Sequence, residues 1–103
     1  MTPDRPGIRL DKWLFYARFC KSRVVAAVLI DEGRVRVNGH VVNKPARTVS
    51  AGDVLTLPQG GVIRVLRVLA LGDRRGPAAE AQRLYHEIAA AAAAASDHSR
   101  PLD

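Results

Sequence analysis

Nine basic side chains between residues 9 and 47 could together bind a polyanion. They are Arg9, Lys12, Arg18, Lys21, Arg23, Arg34, Arg36, Lys44 and Arg47. The acidic residues in this segment are Asp11, Asp31 and Glu32. The excess of bases over acids in the segment equals the net charge of the whole 103-residue chain, +6. Because lysine and arginine neutralise phosphates, this confinement of charge predicts a local surface for a nucleic acid or an anionic membrane.

The other reactive side chains predict no catalytic, metal or cofactor site. Cys20 is the single cysteine, so neither an internal disulfide nor a zinc site built from cysteines can form within this chain. Its basic neighbours could lower its pKa, but no His or acid partner is identifiable, and we expect a satellite-core or surface thiol. The histidines are far apart and share no ligand spacing. We therefore expect no catalytic residue, no metal, no cofactor and no enzyme activity.

Two short helices are predicted to position the first basic residues. Apolar residues spaced i, i+3, i+4 and i+7 indicate a helix over residues 9–19, with a buried face made of Leu10, Trp13, Leu14 and Ala17. Ser22 is a good N-cap for a second helix, which is predicted to end near Glu32, with Gly33 as its left-handed C-terminal residue. The buried stripe of this helix is predicted to contain Ala26, Leu29 and Ile30.

Alternating residues predict strands after these helices. Asn38-Gly39 between two alternating segments is a strong signal for a hairpin with a type I′ turn, which pairs Val35 with Val42. Arg34 and Arg36 then share the opposite face of the hairpin. Further strands are predicted over residues 54–57 and 62–71, and at least part of the latter should be central in the sheet. Pro77 suits the first turn of a C-terminal helix, predicted over residues 77–95 and including seven consecutive alanines.

The elements together predict the α+β class: two N-terminal helices packed on a small, mostly antiparallel twisted sheet, plus a C-terminal helix. We expect a disordered N-terminus over residues 1–8, a folded domain over 9–76 and a disordered tail over 96–103. The predicted elements use the whole chain, so we expect no separate catalytic domain. The apolar runs 24–30 and 88–95 are too short to span a bilayer, and the N-terminus lacks a signal-peptide core. The chain is therefore expected to be cytoplasmic.

The second helix argues against a base-reading DNA-binding protein. A recognition helix presents polar side chains to base edges, whereas residues 24–30 are all apolar and are followed by two acids. The basic residues lie instead near the first helix, at the inter-helix turn and on the hairpin and its exit. A helix N-terminus also suits a phosphate. This layout predicts recognition of backbone shape, and folded RNA fits it better than duplex DNA.

An ordered set of motifs carries a resemblance to a known family. It consists of Arg-Leu-Asp-Lys-Trp-Leu at 9–14, Lys-Ser-Arg at 21–23, Leu-Ile-Asp-Glu-Gly-Arg-Val at 29–35, Val-Asn-Gly at 37–39, Lys-Pro at 44–45 and Gly-Asp at 52–53. This set resembles the S4-type, or alpha-L, RNA-binding domain of small-subunit ribosomal protein four. The first run, extended to residue 19, and the run Arg-Arg-Gly-Pro-Ala-Ala-Glu-Ala-Gln-Arg-Leu-Tyr-His-Glu at 74–87 also resemble the bacterial heat shock protein 15 family.

The resemblance implies a non-enzymatic protein that binds ribosomal RNA on the free large ribosomal subunit. In that family the subunit still carries a nascent chain on tRNA after aborted translation, and the protein helps to recycle it. The RNA-contacting positions would map onto Arg9, Lys12, Arg18, Lys21, Ser22, Arg23, Asn38, Lys44 and Arg47. Val25 and Val28 stand where many such domains have polar or basic side chains, so this helix either offers less contact or packs more. The family often carries a long, charged C-terminal extension, replaced here by the alanine run and a short tail.

The residues leave some alternatives open. The chain, expected to be a monomer, could instead be an RNA-dependent accessory or adaptor protein that binds tRNA or an acidic protein partner. A membrane-surface role is the weakest, because no helix combines a basic face with a bulky, exposed apolar one. Asp11 is expected to pair with a nearby arginine, and Trp13 is expected in the core. Stacking of Phe15 or Tyr16 on a base remains an alternative to a purely structural role.

Overall fold

The computed structural model describes residues 5–92 and confirms the predicted α+β class. Its helices are α1 (Leu10–Tyr16), α2 (Arg23–Asp31) and the short α3 (Ala78–Ala81). Its strands are β1 (Ile8–Arg9), β2 (Val35–Val37), β3 (His40–Val42), β4 (Thr48–Val49), β5 (Val54–Gln59), β6 (Val62–Val68) and β7 (Tyr85–Ala92). Five strands form an antiparallel sheet in the order β3-β2-β5-β6-β7, and β1 pairs with β4. The segments predicted to be disordered lie largely outside the described residues, although Ile8 pairs with Val49.

The helix α2 has the predicted ends. The Ser22 hydroxyl oxygen accepts a hydrogen bond from the Val25 amide at 3.1 Å, which satisfies one of the free N–H groups of the first turn. Gly33 follows the helix with φ +74°, a conformation that a residue without Cβ adopts at little cost. Ala26 and Ile30 are fully buried, and Leu29 packs against the core. The helix therefore contacts the core along the predicted stripe.

The β2–β3 hairpin also forms as predicted. Val35 faces Val42 and Val37 faces His40, and Asn38 and Gly39 both have positive φ. Strand β6 lies between β5 and β7 and is therefore central, although it ends at Val68.

The C-terminal segment corrects one prediction. A helix does begin after Pro77, but α3 and a following 3₁₀ turn end at Leu84, and Tyr85–Ala92 is a strand paired with β6. The Tyr85 ring packs 4.6 Å from Phe19, and Glu87 forms a bidentate pair with Arg64 on β6. These long-range contacts and the ladder of β6 outweigh the helix preference of alanine. Residues 93–95, also predicted to be helical, lie outside the described residues.

The core lies between the helices and one face of the sheet. Trp13 is fully buried, stacks on Phe19 and donates its indole N–H to the Ala70 carbonyl at 2.9 Å. Buried side chains alternate along the strands, so Val35 and Val37 point into the core while Arg36 between them is exposed. Arg67, between buried Leu66 and Val68, is exposed in the same way. Both arginines therefore lie on the face of the sheet opposite the helices.

Candidate nucleic-acid interface

A buried carboxylate brings two of the predicted contact residues together. Arg9 donates two hydrogen bonds to Asp11, from Nε at 3.0 Å and from Nη2 at 2.9 Å. Arg23, at the start of α2, places Nη2 3.8 Å from Oδ1 of the same carboxylate, the oxygen that also accepts from Arg9 Nε. The Asp11 side chain is only 5% exposed, whereas those of Arg9 and Arg23 are about half exposed. Asp11 therefore holds two cations side by side at the surface, which confirms its predicted structural role.

The titration of Asp11 reflects the same contacts. Burial by itself would raise the pKa of this carboxyl. The hydrogen bonds and charge of Arg9, the charge of Arg23 and the backbone N–H of Lys12 outweigh burial, and the pKa lies below its ordinary value. Asp11 is thus charged at neutral pH.

The loop after the β2–β3 hairpin adds two more basic side chains next to Asp11. The Arg47 carbonyl accepts from the Leu10 amide at 2.8 Å, and the Pro45 carbonyl accepts from the Asp11 amide at 3.2 Å. These carbonyls take the N–H groups that the first turn of a helix leaves free. Strand β1 fixes the same contact, because Arg9 pairs with Thr48. Lys44 and Arg47, both exposed, are thereby held at the N-terminus of α1.

The inter-helix turn completes the cluster. Lys21 is exposed, and Ser22 uses its hydroxyl oxygen to cap α2 next to Arg23. We refer to the whole group as the Asp11 surface; it contains Arg9, Lys12, Lys21, Ser22, Arg23, Lys44 and Arg47. Its basic side chains come from β1, α1, the inter-helix turn, the start of α2 and the loop after β3. Such an arrangement neutralises several phosphates without reading base edges.

Two predicted contact residues lie elsewhere or have other partners. The Asn38 amide donates to Asp53 at 3.3 Å and accepts from the Val54 backbone N–H at 2.9 Å, so it ties the hairpin turn to the next strand. Arg18 follows α1 with φ +65° and donates from Nε to the Gly76 carbonyl at 2.6 Å. It therefore lies at the opposite end of α1 from Arg9. Asn38 and Arg18 stay predictions as RNA contacts, but neither belongs to the Asp11 surface.

The outer side of α2 is apolar and exposed. Val24 is 72% exposed, Val25 40% and Val28 51%. Closer packing of these valines, one of the two alternatives for this helix, is therefore not observed. The valines offer RNA neither charge nor hydrogen bonds.

Residue patterns missed a set of contacts made by residues far along the chain. Arg75 places its guanidinium 4.9 Å above the Phe15 ring and donates to the Phe15 carbonyl at 3.2 Å. Sixty positions separate these residues, so periodicity and motif spacing carry no signal for the contact. The run at 74–87, which matched a family pattern, was the available hint.

Nothing among residues 5–92 forms a metal site from three or more histidine, cysteine, aspartate or glutamate side chains. Cys20 is buried, and burial raises the pKa of its thiol, the opposite of what a nucleophile needs. No helix in this part of the chain is long and apolar enough to cross a membrane. The basic side chains of the Asp11 surface support electrostatic binding of phosphates.

Comparisons with known proteins match the segment of the chain that contains these residues. The S4 domain model matches residues 8–55, a range that includes all nine predicted contact residues. Heat shock protein 15 of Escherichia coli K12 is 45% identical over 88 residues, covering 84% of this chain and 65% of that protein. The chain thus spans about two-thirds of the length of this relative. The RQC P-site tRNA stabilizing factor of Listeria monocytogenes is 39% identical over 61 residues, covering 59% of this chain and 65% of that protein.

A solved structure extends the similarity to the fold. Heat shock protein 15 of Vibrio cholerae superimposes with a TM-score of 0.77 at 40% identity, over 82% of this chain and 84% of that one. That structure is described as trimeric, which does not support the expectation of a monomer for this chain.

Proposed function

Because the chain belongs to the heat shock protein 15 family of S4-domain proteins, we propose that it is a non-enzymatic RNA-binding protein that recognises structured ribosomal RNA. We further propose that its target lies on the free large subunit, in the cytoplasm, after aborted translation under stress. The Listeria relative is named for stabilising a P-site tRNA, which makes a tRNA that carries a nascent chain a second candidate contact.

The observation that carries this proposal is the Asp11 surface. One buried carboxylate holds Arg9 and Arg23, while carbonyls of Pro45 and Arg47 fix the basic loop to the same helix end. Basic side chains that the fold holds in place lose less conformational freedom on binding than basic side chains on a flexible tail. A preformed set of cations from separate segments suits a folded RNA, where phosphates from different strands lie close together.

Binding to purified large-subunit ribosomal RNA tests the proposal, using Lys21→Ala, Arg23→Ala and Arg67→Ala variants. Lys21 and Arg23 belong to the Asp11 surface, and we expect each loss to weaken binding about five- to tenfold. Arg67→Ala removes the same charge from the opposite face of the sheet and should bind like the unchanged chain. If the unchanged chain bound no ribosomal RNA, the function would be wrong. Equal affinity of all three variants would refute the site.

Crosslinking in cells, followed by sequencing of the bound RNA, identifies the target. A discrete footprint on large-subunit RNA supports the proposal, whereas a footprint confined to tRNA would make tRNA the target instead.

The exposed valines of α2 favour one other candidate function, an adaptor that binds a protein partner. Nuclease treatment separates the two: release from the large subunit after RNA digestion supports RNA binding, and retention supports the adaptor.

A further inference from the structure

The C-terminal end of α1 carries two aromatic rings, each with a cation near its face. The Phe15 and Tyr16 ring centroids are 6.3 Å apart, and both side chains are half-buried. The Lys12 ammonium lies 5.7 Å from the centre of the Tyr16 ring, and the Arg75 guanidinium lies 4.9 Å from the centre of the Phe15 ring. Each pair is within the range of a cation–π interaction.

Phe15 differs from the other aromatic residues in its surroundings. Trp13 and Phe19 belong to the buried core, and Tyr16 and Tyr85 pack against it, but Phe15 does not. A single apolar side chain outside the core is common on protein surfaces and does not by itself mark a binding site. The half-buried Phe15 is set apart by Arg75, which is fixed both by the Phe15 ring and by the Phe15 carbonyl.

Two arginines hold the loop before α3 to this end of α1. Arg75 reaches from the loop to the Phe15 carbonyl, and Arg18 reaches from α1 to the Gly76 carbonyl at 2.6 Å. Within the described residues, the ion pairs to acids are made by Arg5, Arg9, Arg23, Arg64 and Arg74. Lys12, Arg18 and Arg75 make none there, so the rings are surrounded by cations that no carboxylate of this part of the chain neutralises.

We propose that Phe15, Tyr16, Arg18 and Arg75, which we refer to as the Phe15 surface, bind an unpaired nucleotide of the same RNA. The base stacks on the layer made by the Phe15 ring and the Arg75 guanidinium and meets the Tyr16 ring, which is tilted by 45° to Phe15, at its edge, while Arg18 and Lys12 neutralise the adjoining phosphate. Aromatic rings bordered by cations suit any base, because each base presents a π-face. This inference rests on the proposed RNA binding and extends it beyond residues 8–55, since Arg75 lies outside the S4 match.

The placement of the two surfaces supports one RNA ligand rather than two. Helix α1 has seven residues, so the Asp11 surface at its start and the Phe15 surface at its end are about 10 Å apart. Lys12 of the Asp11 surface reaches towards the Phe15 surface, because its ammonium lies 5.7 Å from the centre of the Tyr16 ring. An RNA whose paired segment lies on the Asp11 surface could therefore place a neighbouring unpaired loop or bulge on the rings. Proteins that bind unpaired RNA stack such bases on aromatic side chains.

Photo-crosslinking tests the contact directly. The probe is a hairpin from large-subunit RNA with 4-thiouridine in its unpaired loop, bound to the full chain and digested with trypsin. Trypsin cuts after Lys12 and Arg18, and the resulting peptide 13–18 contains both rings, whereas its third aromatic residue, Trp13, is fully buried. We expect the crosslink on this peptide, at Phe15 or Tyr16, and none on the peptide that contains Tyr85.

Affinity measurements with Phe15→Leu and Arg75→Gln give an independent readout. Leucine keeps apolar volume but loses the π-face, and glutamine keeps a donor but loses the charge. Each change should weaken binding of the looped hairpin about five- to thirtyfold and leave a fully paired duplex unaffected. Unfolding temperatures of both variants show whether α1 is intact. The crosslinking test does not depend on this control, because it uses the unchanged chain.

Each outcome separates this inference from the function it rests on. If the chain binds ribosomal RNA but peptide 13–18 stays uncrosslinked and both variants keep full affinity, the Phe15 surface is only a structural contact between a loop and α1. If Arg75→Gln weakens duplex and hairpin equally and Phe15→Leu weakens neither, the contact is to phosphates and the stacking is wrong. If the unchanged chain binds no RNA, the proposed function fails as well.

Discussion

At the scale of single residues, two buried carboxylates join segments that are distant in sequence. Asp11 holds Arg9 and Arg23, and Asp53 accepts hydrogen bonds from the Ser50 amide at 2.9 Å, from Asn38 at 3.3 Å and from Arg5 at 3.2 Å. Burial acts to raise the pKa of Asp53, but these donors and the charge of Arg5 outweigh it, and its pKa is lowered. Both carboxylates therefore stabilise the folded state in their charged form.

Replacing Asp53 by Asn removes the charge and turns one of its acceptors into a donor that faces other donors. We expect the free energy of unfolding at neutral pH to fall by about 1–2 kcal/mol, measured by urea denaturation. Asp73→Asn is the matched control, because Asp73 is exposed in the loop before α3. A loss no larger than that of the control would contradict the role of Asp53.

The same variant has a defined pH dependence. Because the folded pKa of Asp53 lies below the unfolded value, its stabilisation is complete above the unfolded pKa and is lost as the pH falls through the folded one. The stabilisation that Asp53 contributes should therefore be constant above about pH 5 and decline below about pH 4. Asp53→Asn should lose less over that acid range, and a parallel curve would show that Asp53 does not contribute to it.

At the scale of elements, local patterns predicted what local chemistry determines. The Asn38-Gly39 turn requires positive φ at both positions, and the register of the β2–β3 hairpin follows from it. Ser22 and Gly33 likewise determine the ends of α2. The alanine-rich segment was predicted as a helix because alanine is the best helix former, and that prediction was wrong over Tyr85–Ala92. The deciding contacts, Tyr85 with Phe19 and Glu87 with Arg64, join residues too far apart for periodicity to report.

The site shows the same division. The segment that carries the charge, the cap of α2 and the pairing of Asp11 with Arg9 all follow from neighbouring residues. The alternation of β2 also predicted that Arg36 points away from Val35 and Val37. No local pattern predicted the contact of Arg75 with Phe15 or the contact of Gly76 with Arg18. These contacts depend on how α3 and β7 close the sheet.

The sign of a change in the free energy of unfolding can test whether β7 is a strand. Ala91 is exposed and lies opposite Ile63 in the β6–β7 ladder. Ala91→Val places a β-branched residue across from Ile63, and we expect the free energy of unfolding to rise by about 0.5 kcal/mol. In a helix the same change would lower it by about as much. Urea denaturation of the variant therefore distinguishes the two conformations, and a decrease would contradict the strand.

At the scale of the whole molecule, the fold divides the positive charge between two faces. The Asp11 and Phe15 surfaces lie on the helix side, while Arg36 and Arg67 lie on the opposite face of the sheet. A net charge of +6 spread evenly would attract RNA from every direction. The fold instead predicts that only the bases on the helix side displace counterions from a bound RNA.

The salt dependence of binding measures that number of bases. If four to six phosphates are neutralised, the logarithm of the association constant should fall with the logarithm of salt concentration with a slope of about −3 to −5. Lys21→Ala and Arg23→Ala should each make the slope shallower by about 1, since each loses one phosphate contact. Arg36→Ala removes the same charge from the outer face of the sheet and should leave the slope unchanged, although Arg36 belongs to the same charged stretch of sequence. An equal change in slope for all three variants would mean that the net charge of the chain, and not the surface built around Asp11, attracts the RNA.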